Sequence, residues 1–254
     1  MSLALLLEKV AGTYERKARL YPAFLALTPL LGIAVGIYGM SIDAKEALIA
    51  LASAMGGFYL LANIVRESGK RIEEKLFRLW GGTPTTQLQR HRDGRIDSIT
   101  KHARHEFLGT KLKVPFPDEA TELADPARAD EIYSAGTRWL IEHTRDRTRF
   151  PLLFNENVAY GYRRNALGLK PIAVAICVVS IAWVLVSQGA IAPSGVCILA
   201  LAHMTGRASL SLAFSVTMLF VWLLFFTERA VKTAAFAYAD MLLRTCALLD
   251  EQNR

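Results

Sequence analysis

The sequence predicts an all-α polytopic integral membrane protein, with four transmembrane helices in two hairpins and a helical cytosolic domain between them. Three observations predict it. Pro171 to Gly206 runs 36 residues without Asp, Glu, Lys or Arg, where a spanning helix needs about 20 apolar residues. A second uncharged block, Leu20 to Ile42, stands near the N-terminus, and another, Ala47 to Val65, follows a short polar turn. The charges are segregated: residues 66–168 hold nineteen Lys or Arg and fifteen Asp or Glu, while the apolar blocks hold almost none.

Taken in order, residues 1–19 read as an N-terminal amphipathic helix, with Leu3, Leu6, Leu7, Val10 and Tyr14 recurring at helical spacing opposite Glu8, Lys9 and Glu15. Residues 20–65 form the first hairpin. Pro22 and Pro29 predict a kink in its first span, and Asp43, Lys45 and Glu46 form its turn.

In the cytosolic segment, 66–168, a helix carrying Ile72, Leu76, Phe77 and Trp80 stops at Gly81-Gly82. Thr83 caps a short helix whose first residue is Pro84. Asp97 or Ser98 caps the next, which runs to about Leu108, and Asp125-Pro126 opens another bearing Ile132, Tyr133, Trp139 and Leu140. Phe150-Pro151 starts a helix that runs into the third span, and no period-two strand is evident. A segment of this size can support a core only by leaning on the spans or on another subunit.

Residues 169–227 form the second hairpin: a span from Pro171 to about Val186, a loop from Ser187 to Gly195, a short re-entrant or interfacial piece from Val196 to Met204, and a span from Ala208 to Thr227. A rival arrangement makes Val196 to Met204 part of a fifth span. Residues 228–254 form a C-terminal cytosolic helix with Phe236, Met241, Leu242 and Leu249 for packing.

Counting flanking cations sets the orientation. With four spans, the side of the termini carries Arg16, Lys17, Arg19, Arg66, Lys70, Arg71, Arg163, Arg164, Lys170, Arg229 and Lys232. The opposite side carries Lys45 and Arg207. Both termini are therefore expected in the cytoplasm. The net charge of +7 would point to nucleic acid in a soluble protein; beside apolar spans, anionic headgroups of a lipid bilayer account for it. Cys177, Cys197 and Cys246 lack metal-type spacing and a disulfide framework. Small residues such as Gly32, Gly36, Ala52, Gly56 and Gly57 permit close helix contact and hence a homo-oligomer.

Two constellations carry candidate chemistry. His91, His102, His105 and Glu106, with Asp93 and Asp97 nearby, are the densest set of potential metal ligands. His102 and Glu106 stand one helical turn apart, without the order found in zinc peptidases. A solvated helix face gives the same pattern. His91-Arg92-Asp93 mimics a kinase catalytic loop but lacks a glycine-rich loop before it and an Asn after it. The second constellation is Arg147, Arg149, Tyr160, Arg163 and Arg164, which could hold a nucleotide-like ligand through bidentate Arg bonds and Tyr stacking. Anchoring at lipid headgroups gives that pattern too. The spans hold no Asp, Glu, Lys or Arg, against a conventional coupled transporter; His203 is their one ionisable residue.

The runs Leu79-Trp80-Gly81-Gly82-Thr83-Pro84-Thr85-Thr86, Arg149-Phe150-Pro151-Leu152-Leu153-Phe154, Asn157 to Asn165 and Gly168-Leu169-Lys170-Pro171 resemble segments of an uncharacterised group of bacterial four-span membrane proteins. The resemblance implies a bacterial inner membrane and brings no activity with it. In layout, though not in motif, the chain is also similar to four-transmembrane anti-phage effectors. The function expected is a non-enzymatic membrane effector or oligomeric channel-like protein without a cofactor, whose cytosolic domain senses a ligand or a protein partner. The alternatives are a membrane-bound enzyme using a divalent metal at His91 to Glu106, and a membrane-anchored scaffold.

Overall fold

The computed structural model describes residues 12–39, 44–193 and 195–251; the side chains of residues 35, 44–59 and 61 are outside the described set. The expected amphipathic pattern over residues 2–11 and Asp43 of the expected polar turn also lie outside the described residues, while the backbone of Lys45 and Glu46, expected in that turn, is helical. Among the described residues the regular structure is helical apart from one pair of two-residue strands.

A short helical turn, Thr13–Glu15, and a π-helical turn, Arg16–Leu20, lead into α1 (Tyr21–Gly36). Pro22 follows directly on the π-helical turn and has no N–H to offer the Ala18 carbonyl four residues back, and Pro29 lies inside α1. α2 (Ala44–Trp80) stops at Gly81 and Gly82. Both glycines have positive φ, 84° and 127°, and the Gly82 amide donates to the Phe77 carbonyl at 2.8 Å, closing the last turn.

α3 (Pro84–Gln89) is capped by the Thr83 hydroxyl, α4 (Ser98–Leu112) by Asp97, α5 (Glu119–Ala124) by Asp118 and α6 (Pro126–His143) by Asp125. Each side-chain oxygen accepts an otherwise orphaned first-turn amide. α7 (Pro151–Ser187) and α9 (Gly206–Leu224) are separated by the antiparallel pair β1 (Ile191–Ala192) and β2 (Gly195–Val196) and by α8 (Ile198–Ala202). Those strands are too short for an alternating pattern to announce them, and five-residue α8 is too short to cross a bilayer. α10 (Glu228–Glu251) ends the described chain.

Among the described residues, two helices are long and apolar enough to cross a membrane, α7 and α9. The sequence predicts four. α1 has sixteen residues, about 24 Å at a rise of about 1.5 Å each, short of the roughly 30 Å hydrocarbon core. The expected second span falls on the beginning of α2, where the side chains are not described.

The chain divides into two units, one drawn from Met1–Ile72 and Gly161–Ala230, the other from Glu73–Tyr160 and Val231–Arg254. In the first, Val65, Leu169, Ala173, Cys177 and Trp222 share a core with Ala23 and Ala26. The Ser211 hydroxyl of α9 donates to the Gly32 carbonyl of α1 at 3.0 Å, a bond between apolar helices that small residues allow. The Asn165 amide donates to the Ala18 carbonyl at 2.8 Å, and the Lys170 ammonium donates to the carbonyls of Leu223 and Phe226, each at 3.0 Å.

In the second unit, Leu88, Phe107, Leu108, Leu140 and Phe150 form one core with Ala239, Leu242, Leu243, Cys246 and Leu249 of α10. The polar middle segment thus completes its interior with the C-terminal helix. Burial pushes the Cys246 thiol up to about 12, so it packs as a small neutral side chain.

Candidate ligand-binding site

The second unit is built on a buried polar frame. Gln89, 2% exposed, donates through its amide to the carbonyls of Thr85 and Tyr133, both at 3.1 Å, and to the Thr137 hydroxyl at 3.0 Å. Arg90 grips Asp130 with two hydrogen bonds of 2.9 and 2.6 Å and donates to the Gly81 carbonyl at 2.8 Å. The Asp130 pairing raises the Arg90 pKa. Gln87 donates to the Gly82 carbonyl at 2.7 Å. Together these bonds fix the Gly81 to Thr86 turn against α6.

A second cluster holds the following loop. Glu122 is 3% exposed; its carboxylate accepts from the His91 amide at 2.7 Å and the Tyr133 hydroxyl at 2.8 Å, and Arg92 stands 3.7 Å away. Burial pushes the carboxyl up, but these donors and charges outweigh it and the net shift is down. Lys101, 4% exposed, donates to the carbonyls of Arg90 and Asp93. Burial lowers its pKa, opposed by the charges of Asp93, Glu122 and Asp97.

The His105 ring stacks on Tyr133 at 5.3 Å and meets His91 edge-on at 5.2 Å. Its Nε2 is buried without a hydrogen-bond partner among the described residues. Burial, aided by neighbouring His91, lowers its pKa to about 4.

The predicted metal set is therefore brought to one place: His91, His102, His105 and Glu106 border a single groove of about 570 Å³. His102 and Glu106 are exposed, and the His91 Nε2 lies 2.9 Å from the Pro117 carbonyl. Among the described residues no three His, Cys, Asp or Glu are placed to share an ion. Asp93 pairs with Arg95 at 3.2 Å, and Asp97 is spent on its cap.

The predicted ligand set is divided. Arg147 and Arg149 are exposed and lie over the rings of Phe154 and Phe150, at 4.9 and 5.1 Å. Arg163 is exposed and Arg164 donates to the Asn165 carbonyl oxygen at 3.2 Å; both belong to the first unit. Tyr160 is buried, donates to Glu73, and lies parallel to Tyr238 with centroids 6.2 Å apart.

Tyr160 borders a cavity of about 310 Å³, in the range of small-molecule sites. Phe77, Ile141, Ala235, Ala239 and Leu242 line its apolar side. The polar strip is hydroxylic: Thr83 and Thr86 are linked at 2.8 Å, Thr83 and Thr85 at 3.2 Å, and Thr86 reaches Ser134 at 3.4 Å. Glu73 and Arg138 are its only charged lining residues among those described.

Sequence reasoning did not select Thr86, Ser134, Glu122 or Lys101 as site residues. The Gly81-Gly82-Thr83-Pro84-Thr85-Thr86 run was the available signal, since it supplies the turn and three of the hydroxyls. The Ser134 contribution carries no local signature, because its place depends on how α6 packs on α3. Neither a protein-family model, nor a curated protein, nor a solved structure matches this chain.

Proposed function

We propose that the chain is a non-enzymatic membrane effector, whose second unit receives a ligand and whose apolar helices act on the bilayer. The observation that carries this reading is the hydroxyl-lined cavity at Thr83, Thr86, Ser134 and Tyr160, in a chain that also bears α7 and α9. The exposure of those helices supports a bilayer as their solvent: only 28% and 22% of their apolar stretches is buried, whereas the core helix of a water-soluble protein would be mostly covered. Val178, Val179 and Trp183 on α7, and Leu210, Phe220 and Leu224 on α9, turn bare apolar surface outward.

In this reading four spans cross a bacterial inner membrane with both termini in the cytoplasm, and several copies assemble. The flanking cations and the two apolar blocks before residue 66 support that topology. α7 carries both Tyr160, in the cavity wall, and the third span, so ligand occupancy and span packing act on one continuous helix.

The test is membrane potential. Induced expression in bacteria, read with a potential-sensitive dye, is expected to depolarise cells, and Ala235→Leu in the cavity wall is expected to change the response. An intact potential at full expression and membrane insertion rejects the effector reading.

A further inference from the structure

The cavity's lining specifies the chemistry of what it takes. Its wall is chiefly aliphatic and aromatic, so the body of the ligand is apolar. The two charged lining residues, Glu73 and Arg138, are opposite in sign, and Glu73 already accepts the Tyr160 hydroxyl. An ion resting on this apolar lining would lose part of its water without a net opposing charge to receive it. A neutral ligand escapes that cost.

The polar strip then says which neutral group is recognised. Hydroxyl–hydroxyl hydrogen bonds favour about 2.7–2.8 Å. The Thr83–Thr86 pair meets that distance, but Thr86 and Ser134 stand 3.4 Å apart, joined by a long bond across the strip. A third hydroxyl seated beside this pair can reach both oxygens, donating to one and accepting from the other. Gln89 and Arg90 fix the backbone on either side of the strip, at Tyr133 next to Ser134 and at Gly81 before the Thr83 to Thr86 turn, which limits the ordering that accompanies binding.

Size completes the description. At about 310 Å³ the site lies at the small end of the range for small-molecule pockets, so the ligand is small. We propose that this cavity binds a small uncharged amphiphile, an apolar body of medium-chain length ending in one hydroxyl that bridges Thr86 and Ser134. The proposal rests on the ligand-receiving role given above to the second unit.

The probes are octan-1-ol, octane, octanoate and octylammonium, added to the full chain in lipid nanodiscs. Binding is followed by calorimetry and by the shift in melting temperature, against empty discs. Octan-1-ol is expected to bind the wild type and raise its melting temperature, with octane, octanoate and octylammonium each weaker. Ser134→Ala is expected to weaken octan-1-ol about three- to tenfold, the worth of one hydrogen bond, while leaving octane unchanged. Ala235→Leu, which fills the wall, is expected to abolish both.

Equal octan-1-ol binding by wild type and Ala235→Leu overturns the site. An unchanged alcohol-to-alkane ratio in Ser134→Ala overturns the hydroxyl bridge, and tighter binding of either ion overturns the choice of a neutral ligand. If Ala235→Leu does not fold, Ser134→Ala alone decides. Depolarisation without alcohol binding rejects this ligand class and spares the effector reading; alcohol binding without depolarisation does the reverse.

Discussion

Gly168 of α7 lies so close to Ser68 of α2 that a methyl group on it would meet the Ser68 carbonyl carbon at 2.6 Å. No side chain can swing away there, because the obstacle is backbone. Gly168→Ala is expected to force the two helices apart and to cost about 1–3 kcal/mol or more, read as loss of monodisperse protein in detergent. Gly94→Ala, at a position with open space around it, is the matched control.

Asn165, fully buried three residues earlier, supplies a second constraint on the same helix. Its amide satisfies the Ala18 carbonyl, and Asn165→Leu leaves that acceptor bare. A loss of about 1–3 kcal/mol is expected, measured by thermal unfolding; Asn165→Asp is expected to be no milder, since it removes the donor and adds a buried charge.

The buried His105 gives the second unit a pH dependence whose sign is fixed. Its folded pKa lies near 4, below the ordinary value of 6.5 in the unfolded chain. Below pH 6.5 the unfolded state takes up a proton that the folded state refuses, so the contribution is complete above 6.5 and is lost as pH falls towards 4. The loss between pH 7.5 and pH 5 is expected to be about 2 kcal/mol by chemical denaturation. His91, Lys101 and Glu122 act on the ring and persist in His105→Phe, which is expected to flatten this window selectively. The Glu122 carboxyl, held below its ordinary value, contributes stability that is complete above pH 4.5 and is lost only as pH falls beneath it.

Glu122→Ala strands two donors at once, the His91 amide and the Tyr133 hydroxyl. It is expected to destabilise by about 3 kcal/mol, whereas Tyr133→Phe, which removes one bond to the carboxylate, is expected to cost about 1–2 kcal/mol. Protection of the His91 amide from hydrogen exchange reports the difference directly, since it should collapse in the first variant and persist in the second.

Local chemistry was readable where it is local in sequence. Thr83 before Pro84, Asp97 before Ser98 and Asp125 before Pro126 cap the helices that their order predicts. Two of the apolar runs emerge as helices of spanning length, and the second of them, α9, begins at Gly206 and not Ala208 because Thr205 provides the cap. What lay beyond reading was decided by distant partners. Polarity suggests that Lys101 and Glu122 face water, but both are buried because loop carbonyls and the Tyr133 hydroxyl receive them. His105 shares a helix with exposed His102 and Glu106 yet turns inward, since α6 presents Tyr133 to its face. The attachment of α10 to the middle segment's interior depends on tertiary packing between stretches about a hundred residues apart.

The Lys170 ammonium pins α7 to the chain at the end of α9. It sits where the apolar part of α7 begins and reaches the Leu223 carbonyl at the end of α9 and the Phe226 carbonyl two residues beyond that helix. A slip of one helix along the other by a single residue, about 1.5 Å, breaks both bonds at once. Neutralising this one amine by acetylation would therefore loosen the register of the pair without touching a single apolar contact.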